Sequence, residues 1–211
     1  MDIITRISRE LVAGKVICSY SFPEGFDILS DPEGIRDVEG ILESLGLRIA
    51  ITSSKKAFFA AEESTGEAER HIRGSIHCLL NEARRISDVA EFLMNVYPDG
   101  QRLHLGQVIE TSNVLEVVNG SNALEDMLAN LTAGFNMTSN TTSKRISNLF
   151  RKLADDGFLK VMNQSREVYQ VTGRTERAWD IIENILQMVP EAAEKLEKIA
   201  EESRQGDLFH A

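Results

Sequence analysis

The spacing of apolar residues predicts a helix followed by a loop at the start of the chain. Apolar residues recur every three or four positions from Ile4 to Leu11, which predicts a helix over 2–17 with Gly14 as its weakest position. The stretch 19–34 carries two prolines and two glycines, and such a composition is typical of a loop.

A second helix is predicted to begin at Asp31, which can cap it, with Pro32 in its first turn. Its apolar stripe consists of Ile35, Val38, Ile41, Leu42 and Leu45. Gly46 suits the left-handed residue that follows a helix. Residues 47–51 then alternate as a strand does, and a polar turn leads to a return strand at 57–60. This order of helix, glycine and hairpin is the closing half of a winged helix.

The middle of the chain is predicted to be helical. Apolar residues keep helical spacing over 66–97, which predicts one long helix that ends at Pro98. One or two further helices are predicted over 105–134. The domain boundary is expected within or just after the long helix.

The helix–glycine–hairpin order returns at 141–172. A cap at Thr141 precedes a helix with four apolar residues on one face. These residues are Ile146, Leu149, Phe150 and Leu153. Gly157 follows, and then strands at 158–162 and 167–172 flank a turn, which predicts a second winged helix.

These patterns predict a mainly α protein with small β-hairpins, of the α+β class, in which two tandem winged-helix domains are joined by a long helix. The N-terminal domain would span 1–65, the connecting helix 66–100 and the C-terminal domain 101–190. A tail over 191–211 carries a predicted acidic amphipathic helix.

The net charge of −10 argues against indiscriminate coating of nucleic acid, which needs clustered Lys and Arg. The charge is nevertheless uneven, since 140–177 holds eight basic and four acidic residues. Cys18 and Cys78 are the only cysteines and are expected to be reduced, buried and apolar in role. With no targeting or membrane-spanning segment visible, the cytoplasm is the expected compartment.

Motifs for catalysis are missing from the sequence. There is no phosphate-binding glycine loop, no H-E-x-x-H and no serine in a nucleophile elbow. His71 and His77 are six positions apart, whereas a helical metal pair needs about four. We therefore expect no enzymatic activity, no cofactor and no metal.

The second predicted winged helix has the residue types for DNA contact, because basic side chains on its last helix and hairpin can meet phosphates. The candidates are Lys144, Arg145, Asn148, Arg151, Lys152, Lys160 and Arg166. Weak contact without sequence preference, specific reading of an operator, and a merely solvated basic face all remain open. The helix that begins at Asp31, in the first predicted winged helix, is acidic, and this domain is expected to bind protein instead.

Three stretches resemble the kleisin-interacting tandem winged-helix subunits of bacterial SMC complexes, of the MukE/MksE type and the related plasmid-defence subunit. Residues 11–17 (LVAGKVI) are similar to that family's opening. Residues 41–49 with 57–60 resemble its first helix and hairpin, and residues 144–172 resemble its second.

The resemblance implies a non-catalytic scaffold subunit that forms a homodimer through its N-terminal domains. It also implies binding to a kleisin subunit, association with an SMC ATPase, loose DNA contact and a nucleoid-associated location. The role would be chromosome organisation or plasmid defence. The alternative is a dimeric winged-helix transcriptional regulator that reads a palindrome.

Overall fold

The computed structural model describes residues 2–62, 86–97, 103–137, 139 and 141–188. Its helices outnumber its strands, and the strands form two small antiparallel sheets. The prediction of a mainly helical α+β fold is therefore confirmed. We call residues 2–62 the first unit and the described residues from 86 to 188 the second unit.

The first unit surrounds a sheet with the strand order β1-β3-β2. Its elements are α1 (Ile3–Val12), β1 (Ile17–Cys18), α2 (Pro23–Leu29), α3 (Pro32–Leu42), a 3-10 turn (Glu43–Leu45), β2 (Leu47–Ile51) and β3 (Ala57–Glu62). Ile17 pairs with Phe58, and Ile49 pairs with Ala60, so β3 lies between its two neighbours. Ile7, Leu29 and Leu42 lie fully buried beneath this sheet.

The second unit repeats that strand order as β4-β6-β5. Its elements are a helix over 86–96 (α4), β4 (Val108–Glu110), α5 (Thr111–Asn119), α6 (Asn122–Gly134), α7 (Thr142–Asp155), β5 (Leu159–Asn163), β6 (Val168–Val171) and α8 (Gly173–Met188). Ile109 pairs with Tyr169, and Val161 pairs with Tyr169 from the other side. The largest hydrophobic core of the described residues lies here, between α4 to α7 and the sheet.

Two predicted elements of the N-terminal half differ from the structure. The helix predicted over 2–17 ends at Val12, since Gly14 is left-handed (φ 75°) and the chain then enters β1. The loop predicted over 19–34 is wrong, because it contains α2. Proline is tolerated at the first position of a helix, and Pro23 begins α2 there.

Further along, the helix predicted over 105–134 begins only at Thr111, because the three residues before it pair with β6 as β4.

In α3, Val38 and Leu42 are buried as predicted. Ile35 is half-buried, and the remaining two residues of the predicted stripe, Ile41 and Leu45, are 39% and 57% exposed.

Several predicted elements are confirmed: β2 over 47–51, α7 after its cap, and the hairpin of β5 and β6. Of the long helix predicted over 66–97, residues 86–96 are helical, and the rest before them lie outside the described residues. The predicted acidic helix of the tail also lies outside them, as does Cys78. Cys18 is buried as predicted.

The two units pack directly against each other. Gly173, at the start of α8, donates its backbone N–H to the sulfur of Cys18 at 3.3 Å. The backbone N–H of Ser53 donates to Asp180 at 2.9 Å. The guanidinium of Arg177 lies 4.3 Å from the ring centre of Phe59. The start of α8 therefore joins the second unit to the sheet of the first.

Candidate nucleic-acid interface

Helix α7 presents one apolar face to the core and a polar face outward. Its first turn is capped by Thr141, whose hydroxyl accepts a hydrogen bond from the backbone N–H of Lys144 at 3.3 Å. The four predicted core residues of α7 are 6% exposed or less. Because they occupy one side of the helix, the opposite side is fixed toward the surface.

The outward side of α7 carries Lys144, Asn148 and Arg151. Their spacing of four and then three residues places them in one stripe along the helix. Lys144 and Arg151 are exposed, and Asn148 is half-buried. Asp155 continues the stripe at the end of the helix and is the acidic member of it.

The turn between β5 and β6 presents Arg166. The side-chain oxygen of Asn163 accepts hydrogen bonds from the hydroxyl of Ser165 at 2.9 Å and from the backbone N–H of Arg166 at 3.1 Å. These bonds close the turn, and the Arg166 side chain stays exposed. We call Lys144, Asn148, Arg151 and Arg166 the basic face.

The other three sequence candidates have partners inside the protein. Arg145 donates from Nε to the carbonyl of Ser139 at 3.1 Å. Lys152 forms an ion pair with Asp156, four residues along the same helix, at 2.7 Å. These two contacts direct both side chains along the flanks of α7.

Lys160 lies on β5, and its ammonium group reaches the first unit. It donates to the backbone carbonyl of Tyr20 at 2.7 Å. Since Gly106 also approaches the Tyr20 ring closely, this region is a second contact between the units. Lys160 therefore contributes to the junction of the two units.

Glu167 was not among the sequence candidates. It is the last residue of the turn before β6, and its carboxylate accepts hydrogen bonds from the hydroxyls of Ser147 at 2.8 Å and Thr111 at 3.1 Å. Ser147 lies three residues after Lys144 and four before Arg151, so that spacing could have placed it beside the basic stripe. The partnership with Thr111 carries no signal in the sequence, since 56 residues separate the two.

The charges of this region act on the buried Tyr169. Burial raises the pKa of the Tyr169 phenol, the carboxylate of Glu167 raises this pKa further, and the guanidinium of Arg151 opposes the shift. Glu167 and Arg151 thus act on the same hydroxyl group, one from the hairpin and one from α7.

Within the residues that the structure describes, no group of three or more His, Cys, Asp and Glu side chains is arranged to hold a metal ion. None of the described helices is both long and apolar enough to cross a membrane.

Comparison with known protein families identifies the family to which this chain is related. The family model for the condensin complex protein MksE matches residues 2–177, which include nearly all of both units. No curated protein matches the chain. The match confirms the resemblance to the MukE/MksE type, and the chain belongs to the MksE family of condensin complex proteins.

Proposed function

We propose that this protein is a non-catalytic scaffold subunit of an SMC–kleisin complex that dimerises, binds the kleisin and helps the complex engage DNA. Membership of a condensin complex family supports a place within an SMC complex. The lack of catalytic motifs in the sequence is consistent with a structural role.

We further propose that both units are winged-helix modules. In each unit a short strand follows the first helix, further helices follow that strand, and a hairpin comes after them; in each sheet the short strand lies beside the last strand. We propose domains over 1–65 and 101–190, a tail over 191–211, and a connecting helix over 66–100 whose described part, α4, packs into the core of the second unit. The second unit has three α-helices, α5 to α7, between its first two strands, whereas the first unit has two, α2 and α3.

One observation carries the proposal of DNA contact: exposed cations of an acidic chain lie on α7 and on the hairpin turn, which the Ser147–Glu167 hydrogen bond holds together. Lys144 and Arg151 lie on the outward side of α7, and Arg166 lies at the hairpin turn. A winged helix contacts DNA through its last helix and hairpin, and Lys or Arg there binds phosphates irrespective of base sequence. Three such contacts would give weak binding that falls steeply with salt.

The first unit is proposed to bind protein. Its α3 carries Glu33, Asp37 and Glu39 against a single Arg36, a balance that repels phosphates. Exposed apolar side chains, including that of Leu45, lie at the end of this helix, and such groups favour protein contact. The first unit and the connecting helix would form the homodimer contact, and the second unit would bind the kleisin.

Affinity purification of the tagged full-length protein from its own cells, at moderate salt and read by mass spectrometry, tests the proposal. We expect recovery of a large coiled-coil ATPase and a kleisin in fixed ratio to this subunit. Recovery of the protein with DNA alone would contradict the scaffold role and would favour a winged-helix transcriptional regulator. Such a regulator would show a sharp preference for one DNA sequence.

A further inference from the structure

Glu167, the last residue of the hairpin turn, is fixed by both its side chain and its backbone. Its Oε2 atom accepts from Ser147 of α7 and from Thr111 at the start of α5. Its carbonyl also accepts the backbone N–H of Thr111 at 3.3 Å. One residue thereby joins the hairpin to two helices.

The backbone of Glu167 has an uncommon conformation. Its φ of 50° lies in the left-handed region, which a residue with a side chain rarely adopts. Such a conformation persists where the surrounding contacts determine it, and here the two hydroxyls and the Thr111 amide do so. The carboxylate is therefore held in place and does not move freely in solvent.

That carboxylate places a negative charge beside the basic stripe of α7. Ser147, its hydrogen-bond partner, lies between Lys144 and Arg151 on α7, and Arg166 is its neighbour in the chain. A carboxylate next to this stripe lowers the positive potential that Lys144 and Arg151 present to a phosphate. Like charges repel, so a phosphate that approaches this face meets Glu167 as well.

We propose that Glu167 is a positioning residue that fixes the hairpin on α7 and that its charge keeps the affinity of the basic face for DNA low. The inference rests on the proposed DNA contact of that face.

The variant Glu167→Gln separates the charge from the contacts, because an amide oxygen can still accept from Ser147 and Thr111. Its matched control is Glu43→Gln, the same change at an exposed residue of the first unit. Binding of the full-length proteins to a fluorescent 30-base-pair duplex of arbitrary sequence would be titrated by anisotropy at about 50, 100 and 200 mM KCl.

We expect Glu167→Gln to bind DNA about two- to fivefold more tightly at the lowest salt, with the gain shrinking as salt screens the charge. Glu43→Gln should bind as the unmodified protein does. A purely structural role for Glu167 would give unchanged or weaker binding in the glutamine variant, and that result would overturn the inference while leaving DNA contact intact. Absence of binding by every variant would overturn both.

The positioning role has its own measurement. Ser147→Ala keeps the charge of Glu167 and removes its shorter hydrogen bond. We expect faster amide hydrogen exchange in the β5–β6 hairpin of Ser147→Ala, without the gain in DNA affinity. Unchanged exchange in this variant would contradict the positioning role even if the protein were otherwise folded.

Discussion

Helices α3 and α7 occupy corresponding places in the two units but carry opposite charge. The segment of α3 holds three acidic residues and one basic, whereas α7 holds four basic residues and one acidic. Each helix is followed by a left-handed glycine, Gly46 (φ 67°) or Gly157 (φ 80°), and then by an antiparallel hairpin.

The comparison separates the residues that determine the backbone fold of a unit from the residues that determine which partner it can bind. The buried apolar residues and the glycine after each helix give both units the same order of helix, glycine and hairpin. The exposed residues have no part in that packing and are free to differ, so one helix can repel phosphates and the other attract them. Two similar units can in this way bind different partners.

Substitutions in the cores of the two units should have the largest effects on stability. Phe150 is fully buried, with its ring centre 5.5 Å from that of Tyr169, and Phe150→Ala should lower the free energy of unfolding by about 3–5 kcal/mol. Leu42→Ala should cost about 2–5 kcal/mol in the first unit. Urea denaturation followed by circular dichroism measures both.

Val161→Ala is the control, because Val161 is 45% exposed and its truncation should change stability by no more than about 0.5 kcal/mol. If Phe150→Ala were as mild as Val161→Ala, the helix face assigned to the core would be wrong.

The junction of the units should show the next largest effect. A Cβ atom at Gly173 would lie 2.5 Å from Cβ of Ala57 and 2.9 Å from Cβ of Cys18, atoms that cannot rotate away. Gly173→Ala should therefore lower stability by about 1–3 kcal/mol in thermal denaturation. Gly134→Ala is the control, since a Cβ there meets nothing within 4 Å. Equal stability of the two variants would argue against the packing of α8 on the first unit.

The glycines that follow α3 and α7 test whether the two units are equivalent. Gly46→Ala and Gly157→Ala should each cost about 1–2 kcal/mol, because both are left-handed and neither lacks space. Gly40→Ala, within α3, should instead raise stability by about 0.5–1 kcal/mol. Chemical denaturation of the three variants compares them. A loss at only one of the paired positions would break the equivalence of the two units.

The sequence was most informative where a cap, an apolar stripe and a glycine agree. Helix α7 and its hairpin were predicted from the cap at Thr141, the four core residues of the helix and Gly157. β1 and β4 were missed because they are only two and three residues long and exist through pairing with distant strands. Helix α2 was missed because Pro23 was interpreted as a loop signal, although it begins the helix.

The candidate interface was predictable in residue type but not in detail. Helical spacing placed Lys144 and Arg151 on one surface. The contacts of Arg145 and Lys160 are with backbone carbonyls, which no pattern of residue types reveals. Glu167 was missed for a similar reason, since its role depends on hydroxyls from two other elements.

The central claim is that DNA contacts the basic second unit and not the acidic helix of the first. Its most direct test compares the DNA binding of two matched triple variants. One reverses Lys144, Arg151 and Arg166 to Glu in the second unit. The other reverses Arg36, Arg48 and Lys56, which are exposed in the first unit, and so changes the net charge equally. Fluorescence anisotropy over a series of salt concentrations measures each affinity and its dependence on salt.

We predict that the second-unit triple loses at least about tenfold in affinity at 100 mM salt and that its salt slope falls by about 0.9 for each phosphate contact removed. The first-unit triple should stay within about twofold of the unmodified protein, because distant exposed charges are screened. Equal weakening by both triples, or weakening by the first-unit triple alone, would contradict the assignment of DNA contact to the second unit.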